Sequence, residues 1–321
     1  MLRALRFALL VAGLIYVAYL VVRTEPAVLL EPVRTLSGWL LPLIVVPYLL
    51  VTLLHAAGWR LCFPGSRPPF TALVSIRLAG EAFNTMAASV GGEPVKGLLL
   101  RSVVALDEAV AAVVIDKTTI TLAQGLFLGA GLLIARLTVP LPPAFLEMMT
   151  WLLAVEVVAV AGFVLVQTVE AIGRALVALA RARRPSLVVR LEPLRRVERT
   201  MSAFYRRHPG RLGLALLWHL LGWAVGSLEV YAVLWVLGAA PSIWEALVIE
   251  AFVTAVRFLS FMVPANLGAL EAGTIIAFEA FGRGAGLGLA VSLLRRLRQI
   301  VWIAIGLACF ATSRRPLSTD A

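Results

Sequence analysis

The chain has 321 residues, of which 61% are hydrophobic and 15% are charged, and its formal net charge is +11. A soluble globular domain averages about 45–50% apolar and about 25% charged residues, so this composition argues against a soluble fold. A strongly basic soluble protein would suggest nucleic acid, but eleven arginines fall within residues 168–211 and no aromatic–basic motif accompanies them. We therefore expect no nucleic-acid partner.

Long apolar segments dominate the sequence, and a helix needs about 20 such residues to cross a bilayer. Uninterrupted segments of this kind cover residues 5–22, 36–55, 110–135, 148–167, 212–238 and 285–311. Two further segments, 70–103 and 242–282, are apolar but contain Gly, Pro and charged residues. The pattern predicts an all-α polytopic membrane protein with about six full transmembrane helices and two interrupted elements. The first segment is predicted to be a retained helix, since no clear cleavage site follows it.

Basic residues predict the orientation, because cytoplasmic loops are enriched in Lys and Arg. Arg3 and Arg6 place the N-terminus in the cytoplasm, and Arg314 and Arg315 place the C-terminus there. The basic segment 168–211 is then also cytoplasmic.

The two interrupted segments enter from opposite sides in this orientation. Segment 70–103 begins and ends inside, whereas 242–282 begins and ends outside, and each is either a re-entrant hairpin or a pair of short crossings. Inverted-repeat transporters have this pattern. We therefore predict one membrane domain with a first half (1–167), a cytoplasmic linker (168–211) and a second half (212–311).

The linker itself has an amphipathic part. Apolar residues and arginines alternate over 172–184, which favours a helix lying on an anionic membrane surface. A solvated connector is the alternative.

Each interrupted segment carries a polar stripe. Arg77, Glu81 and Asn84 are spaced i, i+4, i+7 and share one helix face, where Arg77 can pair with Glu81. Glu250 and Arg257 repeat the pattern with the charge order reversed. A charge at the membrane centre costs at least about 2.5 kcal/mol on insertion scales, so each stripe is either an internal ion pair or a substrate contact.

A segment that interrupts the helix follows each stripe, at residues 89–97 and 264–273. A helix that starts at such a break presents free N–H groups and can bind an anion. Glu93 and Glu271 could instead cap these helices themselves, and both alternatives remain open.

The last apolar segment contains Arg295, Arg296 and Arg298 near its middle. Three arginines at this depth cannot all extend their guanidinium groups to the membrane interface. We expect at least one of them to face a polar cavity, with Glu271, Glu279 or an anionic substrate as its partner.

The cysteines and histidines predict neither a disulfide nor a metal site. Cys62 and Cys309 are placed near cytoplasmic helix ends, and His55, His208 and His219 show no ligand spacing. The sequence has no P-loop and no nucleophile elbow. We expect no cofactor.

Four motifs occur in a fixed order along most of the chain. They are Gly91, Gly92, Glu93 and Lys96 before a leucine run; Asp116-Lys117; Pro264, Gly268 and Glu271; and Leu293-Leu294-Arg295-Arg296. In these motifs the chain resembles the flippase-like membrane domain of bacterial lysylphosphatidylglycerol synthases and related stand-alone proteins. The sequence around Asp116-Lys117 is similar to that of the hopanoid-associated branch of the family.

The resemblance implies a protein of the bacterial inner membrane that moves a charged lipid, or a lipid-linked headgroup, between leaflets. It implies no aminoacyl-transferase activity, because the chain stops soon after its last helix. A phospholipid headgroup is the expected ligand, and a second copy or a lipid-synthesis enzyme is considered as a protein partner. The predicted substrate-binding residues are Arg77, Glu81, Gly91, Gly92, Glu93, Lys96, Asp116, Lys117, Arg257, Asn266, Gly268, Glu271 and Arg296.

Two alternatives remain. One is a membrane transferase or accessory enzyme of lipid synthesis, for which Glu93 with Asp107 or Glu108 is the candidate carboxylate set. The other is a scaffold without transport activity that recruits enzymes through 168–211.

Overall fold

A computed structural model describes residues 11, 14–22, 34–35, 38–86, 91–168, 175, 179 and 192–313. Every regular element among these residues is a helix. The helices are α1 (Leu40–Leu61), α2 (Phe70–Met86), α3 (Gly92–Leu100), α4 (Leu106–Thr138), α5 (Pro143–Thr168), α6 (Glu192–Arg207), α7 (Pro209–Val236), α8 (Ile243–Leu259), α9 (Ala269–Ala280) and α10 (Ala285–Ser313), with a 3-10 turn at Pro264–Asn266. Residues 14–22 are also helical.

Three helices, α4, α5 and α7, are long and apolar enough to cross a membrane. Helix α10 has 29 residues, but its arginines lower the apolarity of its central part. The prediction of an all-α polytopic membrane protein is confirmed. The largest boundary difference is in α1, which ends at Leu61 rather than near residue 55, because apolar residues continue there between His55 and Arg60.

The two interrupted segments are helix–break–helix hairpins. In the first, α2 has 17 residues and α3 has 9; in the second, α8 has 17 and α9 has 12. At about 1.5 Å per residue, α3 and α9 are too short for a hydrocarbon core of about 30 Å. Length therefore favours hairpins over pairs of crossings, and the inverted symmetry of the two halves stays a prediction.

Small residues allow the helices to approach closely where the hairpins pack. Helix α2 packs along α10 and against the 264–266 turn. A Cβ atom at Gly306 of α10 would lie 2.4 Å from the carbonyl oxygen of Leu78 in α2. Membrane helices commonly use small residues for such contacts. This packing brings the first hairpin beside the break of the second.

Helix α6, inside the linker, was not predicted. Its Met201 and Phe204 are buried against the end of the bundle, and the hydroxyl of Tyr205 donates to Gln167 Oε1 at 2.7 Å. Burial raises the pKa of Tyr205 to about 12. The basic linker is thus anchored to the bundle at α6, whereas the amphipathic stretch 172–184 lies outside the described residues, apart from the backbone positions 175 and 179.

Gly92 is the tightest contact of the first hairpin, and its replacement by alanine is expected to destabilise the protein. The new Cβ would lie 1.8 Å from the carbonyl oxygen of Gly80, so α2 and α3 must separate. Overpacking of this kind costs about 1–3 kcal/mol. Thermal unfolding of the purified protein in detergent measures the effect.

Gly97→Ala is the matched control, because it lies on the same helix and a Cβ there would meet nothing within 4 Å. Equal melting temperatures for Gly92→Ala and Gly97→Ala would contradict the close approach of the two helices.

Candidate functional site

A first group of charged side chains joins α2, α3 and α4. We call it the hairpin cluster, and it consists of Arg77, Glu81, Glu93, Lys96, Asp116 and Lys117. Three of its members are positive and three are negative, so its formal charge is zero. Arg77, Lys96 and Asp116 are buried. The side chain of Glu93 is 14% exposed, that of Glu81 is 32% exposed and that of Lys117 is 39% exposed.

Lys96 is the centre of the hairpin cluster. Its ammonium lies 2.8 Å from Glu81 Oε1 and 3.3 Å from Glu93 Oε2. Glu93 also pairs with Lys117, at 3.4 Å. These ion pairs connect all three helices, because Glu81 belongs to α2 and Lys117 to α4.

The spacing within α2 allows a pair between Arg77 and Glu81, but the structure pairs these two residues with other partners. Arg77 instead reaches Asp116 of α4, with 3.3 Å between Nη1 and Oδ2, while Glu81 pairs with Lys96. The pairing changes because α3 and α4 pack beside α2 and supply partners that the i, i+4 spacing within one helix does not show.

Both helix starts at the breaks are hydrogen-bonded within the protein. Asn84 Oδ1 accepts the backbone N–H of Gly92 at 2.8 Å, and Glu271 Oε2 accepts that of Gly268 at 2.7 Å. The capping alternative therefore holds for Glu271, whereas Glu93 is engaged in ion pairs. These two N–H groups are not available to an anion.

A second charged group lies between the second hairpin, α7 and α10. We call it the arginine cluster, and it consists of Arg257, Arg295, Arg296 and Arg298 with Glu229, Glu250 and Glu271.

Two of its arginines share one face of α10 and meet acidic residues of α7 and α8. Arg295 Nη2 lies 2.5 Å from Glu250 Oε2, and Arg295 Nε lies 3.4 Å from Glu229. Arg298 also pairs with Glu229. These pairs join three helices inside the bundle.

Arg296 points in another direction and binds the second break. Its guanidinium makes two bonds to the fully buried Glu271, at 2.6 and 2.9 Å. It also donates to the carbonyl oxygens of Ala265, at 2.6 Å, and Asn266, at 3.2 Å. Ala265 and Asn266 have φ values of 53° and 50°, a region that non-glycine residues seldom adopt. Arg296 thus stabilises an unfavourable backbone conformation at the break.

The four arginines line a small cavity of about 10 Å³, which is room for about one water molecule. Among the described residues, Arg257 makes no ion pair with a carboxylate, whereas Arg295, Arg296 and Arg298 each do. Four guanidinium groups against three carboxylates leave one positive charge. An anionic group would neutralise this surplus charge, but side chains that line the cavity must move to admit one larger than a water molecule.

The predicted substrate-binding residues fall into two adjacent places. Arg77, Glu81, Glu93, Lys96, Asp116 and Lys117 form the hairpin cluster, with Gly91 and Gly92 at its break. Arg257, Asn266, Gly268, Glu271 and Arg296 lie in or beside the arginine cluster. The packing of α2 against α10 and against the 264–266 turn places the two groups next to each other.

Glu156 of α5 is a buried acidic side chain that is absent from the residues predicted from the sequence. Its residue exposure is 1%, and neither carboxylate oxygen has a hydrogen-bond partner among the described residues. It packs towards α4, where a Cβ at Gly125 would meet Glu156 Oε1 at 3.7 Å. The sequence does contain a signal for it, because Glu156 is a lone acidic residue within a long apolar segment and such residues are rare in membrane helices.

Glu156→Met is expected to raise the thermal stability of the protein, because a buried polar group without a partner costs about 1–3 kcal/mol and Met fills a similar volume. Glu147→Met on the exposed face of α5 is the control and should change stability by about 0.5 kcal/mol or less. Thermal unfolding in detergent measures both. A lower melting temperature for Glu156→Met would show that the carboxyl makes a stabilising contact.

The long apolar helices, the two hairpins and the buried charge clusters define a polytopic α-helical membrane protein. A scan against family models matches residues 4–306 to the lysylphosphatidylglycerol synthase TM region, so the chain belongs to that family. The match does not distinguish the hopanoid-associated branch, which stays a prediction. Neither a search of curated proteins nor a search of solved structures finds a match.

Proposed function

We propose that the protein moves a charged lipid or lipid-linked headgroup between the leaflets of a bacterial inner membrane, with its N- and C-termini in the cytoplasm. The headgroup's anionic part would bind at the arginine cluster. The acyl chains would remain in the lipid, so only the headgroup needs a polar path.

The supporting observation is the guanidinium of Arg257, which lines the cavity of the arginine cluster and makes no ion pair with a carboxylate of the described residues. Arg257 is half-buried, and its positive charge is the one that the three carboxylates of the cluster leave uncompensated. A phosphate supplies the missing negative charge. Guanidinium groups also match its oxygens in geometry, because they donate parallel hydrogen bonds.

The hairpin cluster would contact the rest of the headgroup. It carries no net charge, but Glu81 and Lys117 are partly exposed, so they offer one acidic and one basic contact. A zwitterionic or cationic headgroup could exchange ion pairs there without leaving a group unpaired. Since the sequence has no P-loop, movement would be downhill, coupled to an ion or assisted by a partner.

The enzyme alternative has weaker support. Glu108 accepts hydrogen bonds from the backbone N–H groups of Gly65 and Ser66, at 2.7 and 2.6 Å, and Asp107 accepts from the N–H of Glu108. Glu93 pairs with Lys96 and Lys117 instead. Each of the three carboxylates therefore has its own contacts, which favours the transport proposal over a shared reaction centre.

The proposal is tested by lipid translocation in proteoliposomes. Lipids labelled on an acyl chain keep their native anionic, zwitterionic or cationic headgroups, and a membrane-impermeant reductant bleaches the label in the outer leaflet. In vesicles that contain the protein, we expect the reductant to bleach more than half of the label for selected headgroups. In protein-free vesicles it should bleach only the half in the outer leaflet.

Arg257→Gln and Glu93→Gln should each reduce this movement, and Arg283→Gln serves as a control. Arg283 pairs with Glu245 in the α9–α10 connection, outside both clusters. No movement of any headgroup by folded protein would overturn the proposal. The scaffold alternative, with the anchored linker helix α6 as a recruiting surface, would then be tested by deleting the linker.

A further inference from the structure

A third polar group lies at the interface of α1, α4 and α7. The proposed function uses its Asp116 in the hairpin cluster but gives no role to its Cys62 and His219. Cys62, Asp116 and His219 each present one atom there, and these atoms lie within 4.8 Å of one another. The residues are 0%, 3% and 0% exposed. Consecutive members of this group are more than 50 residues apart in the sequence, so their spacing does not predict a metal site.

Two of the atoms that converge there lack a well-aligned hydrogen bond. Asp116 Oδ1 and His219 Nε2 are 3.1 Å apart but are not aligned as a hydrogen bond, and neither atom has another hydrogen-bond partner among the described residues. An unsatisfied buried donor or acceptor costs about 1–3 kcal/mol. A further atom placed between them and the thiol of Cys62 would satisfy both.

The opposite sides of the same two side chains are held in place. His219 Nδ1 lies 3.0 Å from His55 Nδ1, and Asp116 Oδ2 accepts from Arg77 at 3.3 Å. Metal-ligating histidines and carboxylates are typically oriented in this way, by a hydrogen bond on the atom that does not bind the metal. Gly58 and Gly222 leave room for the two imidazole rings, since a Cβ at either position would lie under 3.0 Å from a ring.

We infer that Cys62, Asp116 and His219 bind a transition-metal ion of the zinc type. Thiolate sulfur, imidazole nitrogen and carboxylate oxygen are the three ligand types that Zn²⁺ prefers. On binding, the Cys62 thiol loses its proton to solvent, and the thiolate and carboxylate charges balance the two charges of the ion. The inference shares Asp116 with the hairpin cluster but does not rest on the proposed lipid movement, because its test measures metal binding rather than transport.

The dimensions of the group are compatible with such an ion. Zn–S and Zn–N or Zn–O bonds of about 2.3 and 2.0–2.1 Å place tetrahedral ligand atoms roughly 3.3–3.8 Å apart. The present separations of up to 4.8 Å therefore require only a small inward movement. The alternative is a purely hydrogen-bonded chain from His55 through His219 to Asp116, with a neutral Cys62 thiol that donates to the carbonyl oxygen of Gly58.

Metal-binding measurements on the protein in detergent distinguish the metal site from the hydrogen-bonded chain. Protein stripped with a chelator is titrated with Co²⁺ as a spectroscopic probe for Zn²⁺, and thiolate-to-cobalt charge-transfer absorption reports ligation by cysteine. Zn²⁺ affinity follows by displacement, and the metal content of the purified protein is measured by mass spectrometry.

We expect one equivalent per chain, with thiolate absorption. Cys62→Ser should abolish this absorption and weaken Zn²⁺ binding by about tenfold or more, and His219→Gln should weaken it similarly. Cys309→Ser and His208→Gln are matched controls, because neither residue belongs to the group, and both should bind as the wild type does. Circular dichroism confirms that each variant is folded.

Two results would overturn the inference. One is the absence of stoichiometric metal binding by folded wild-type protein, which would leave the hydrogen-bonded chain as the role of these residues. The other is unchanged binding and absorption in folded Cys62→Ser, which would place any bound metal elsewhere.

Discussion

Arg296→Gln is expected to lower the free energy of unfolding by about 3–5 kcal/mol, the usual cost of removing one partner from a buried ion pair. Glu271 is 0% exposed and would lose both of its bonds to the guanidinium. The carbonyl oxygens of Ala265 and Asn266 would lose their donor as well, at positions whose backbone is already in an unfavourable region. Thermal or denaturant unfolding in detergent measures the loss.

A double-mutant cycle shows whether the lost ion pair causes this effect. Glu271→Gln combined with Arg296→Gln removes both charges, so the double variant should be more stable than the sum of the two single effects predicts. Arg283→Gln is the comparison for a less buried pair, since Arg283 is 26% exposed, and it should cost clearly less. Simple additivity in the cycle would show that Arg296 and Glu271 do not depend on each other.

The membrane architecture could be predicted from the sequence because apolar length reports directly on bilayer crossing. Residues 70–103 and 242–282 were also recognisable as interrupted, since Gly, Pro and charges stand out in apolar surroundings. Helix α6 was missed because its composition is strongly basic and its burial depends on only a few residues such as Phe204. Those contacts come from the tertiary packing, which no local pattern in 168–211 specifies.

The membership of the charge clusters was easier to predict than the pairing within them. Charges in apolar segments are rare enough to identify Arg77, Glu93 and Arg296 as members of buried polar groups. Pairing depends on which helices become neighbours, so Arg77 meets Asp116, 39 residues away, rather than Glu81. The contact between Asp116 and His219 joins two helices in the same way, and a single sequence gives no signal for it.

Arg257→Gln is expected to weaken the binding of an anionic headgroup about 10- to 100-fold while leaving the protein as stable as the wild type, or more stable. The first part follows from the loss of a charged hydrogen bond to the ligand, which is worth about 1.5–3 kcal/mol. The second follows because Arg257 makes no ion pair with a carboxylate among the described residues, so no acidic partner is left alone. Binding of a short-chain anionic phospholipid, followed by tryptophan fluorescence, gives the affinity.

Arg257→Lys tests whether charge or geometry matters at this position. A lysine keeps the positive charge but cannot make the paired hydrogen bonds of a guanidinium, so its affinity should lie between those of the wild type and Arg257→Gln. The comparison with Arg296→Gln is the sharper one, because both residues line the same cavity. Removal of Arg296 should unfold the site, whereas removal of Arg257 should leave it folded with a reduced affinity for the ligand. If Arg257→Gln were instead destabilised as strongly as Arg296→Gln, Arg257 would have a structural role, and the positive charge of the cavity would not be available to a substrate.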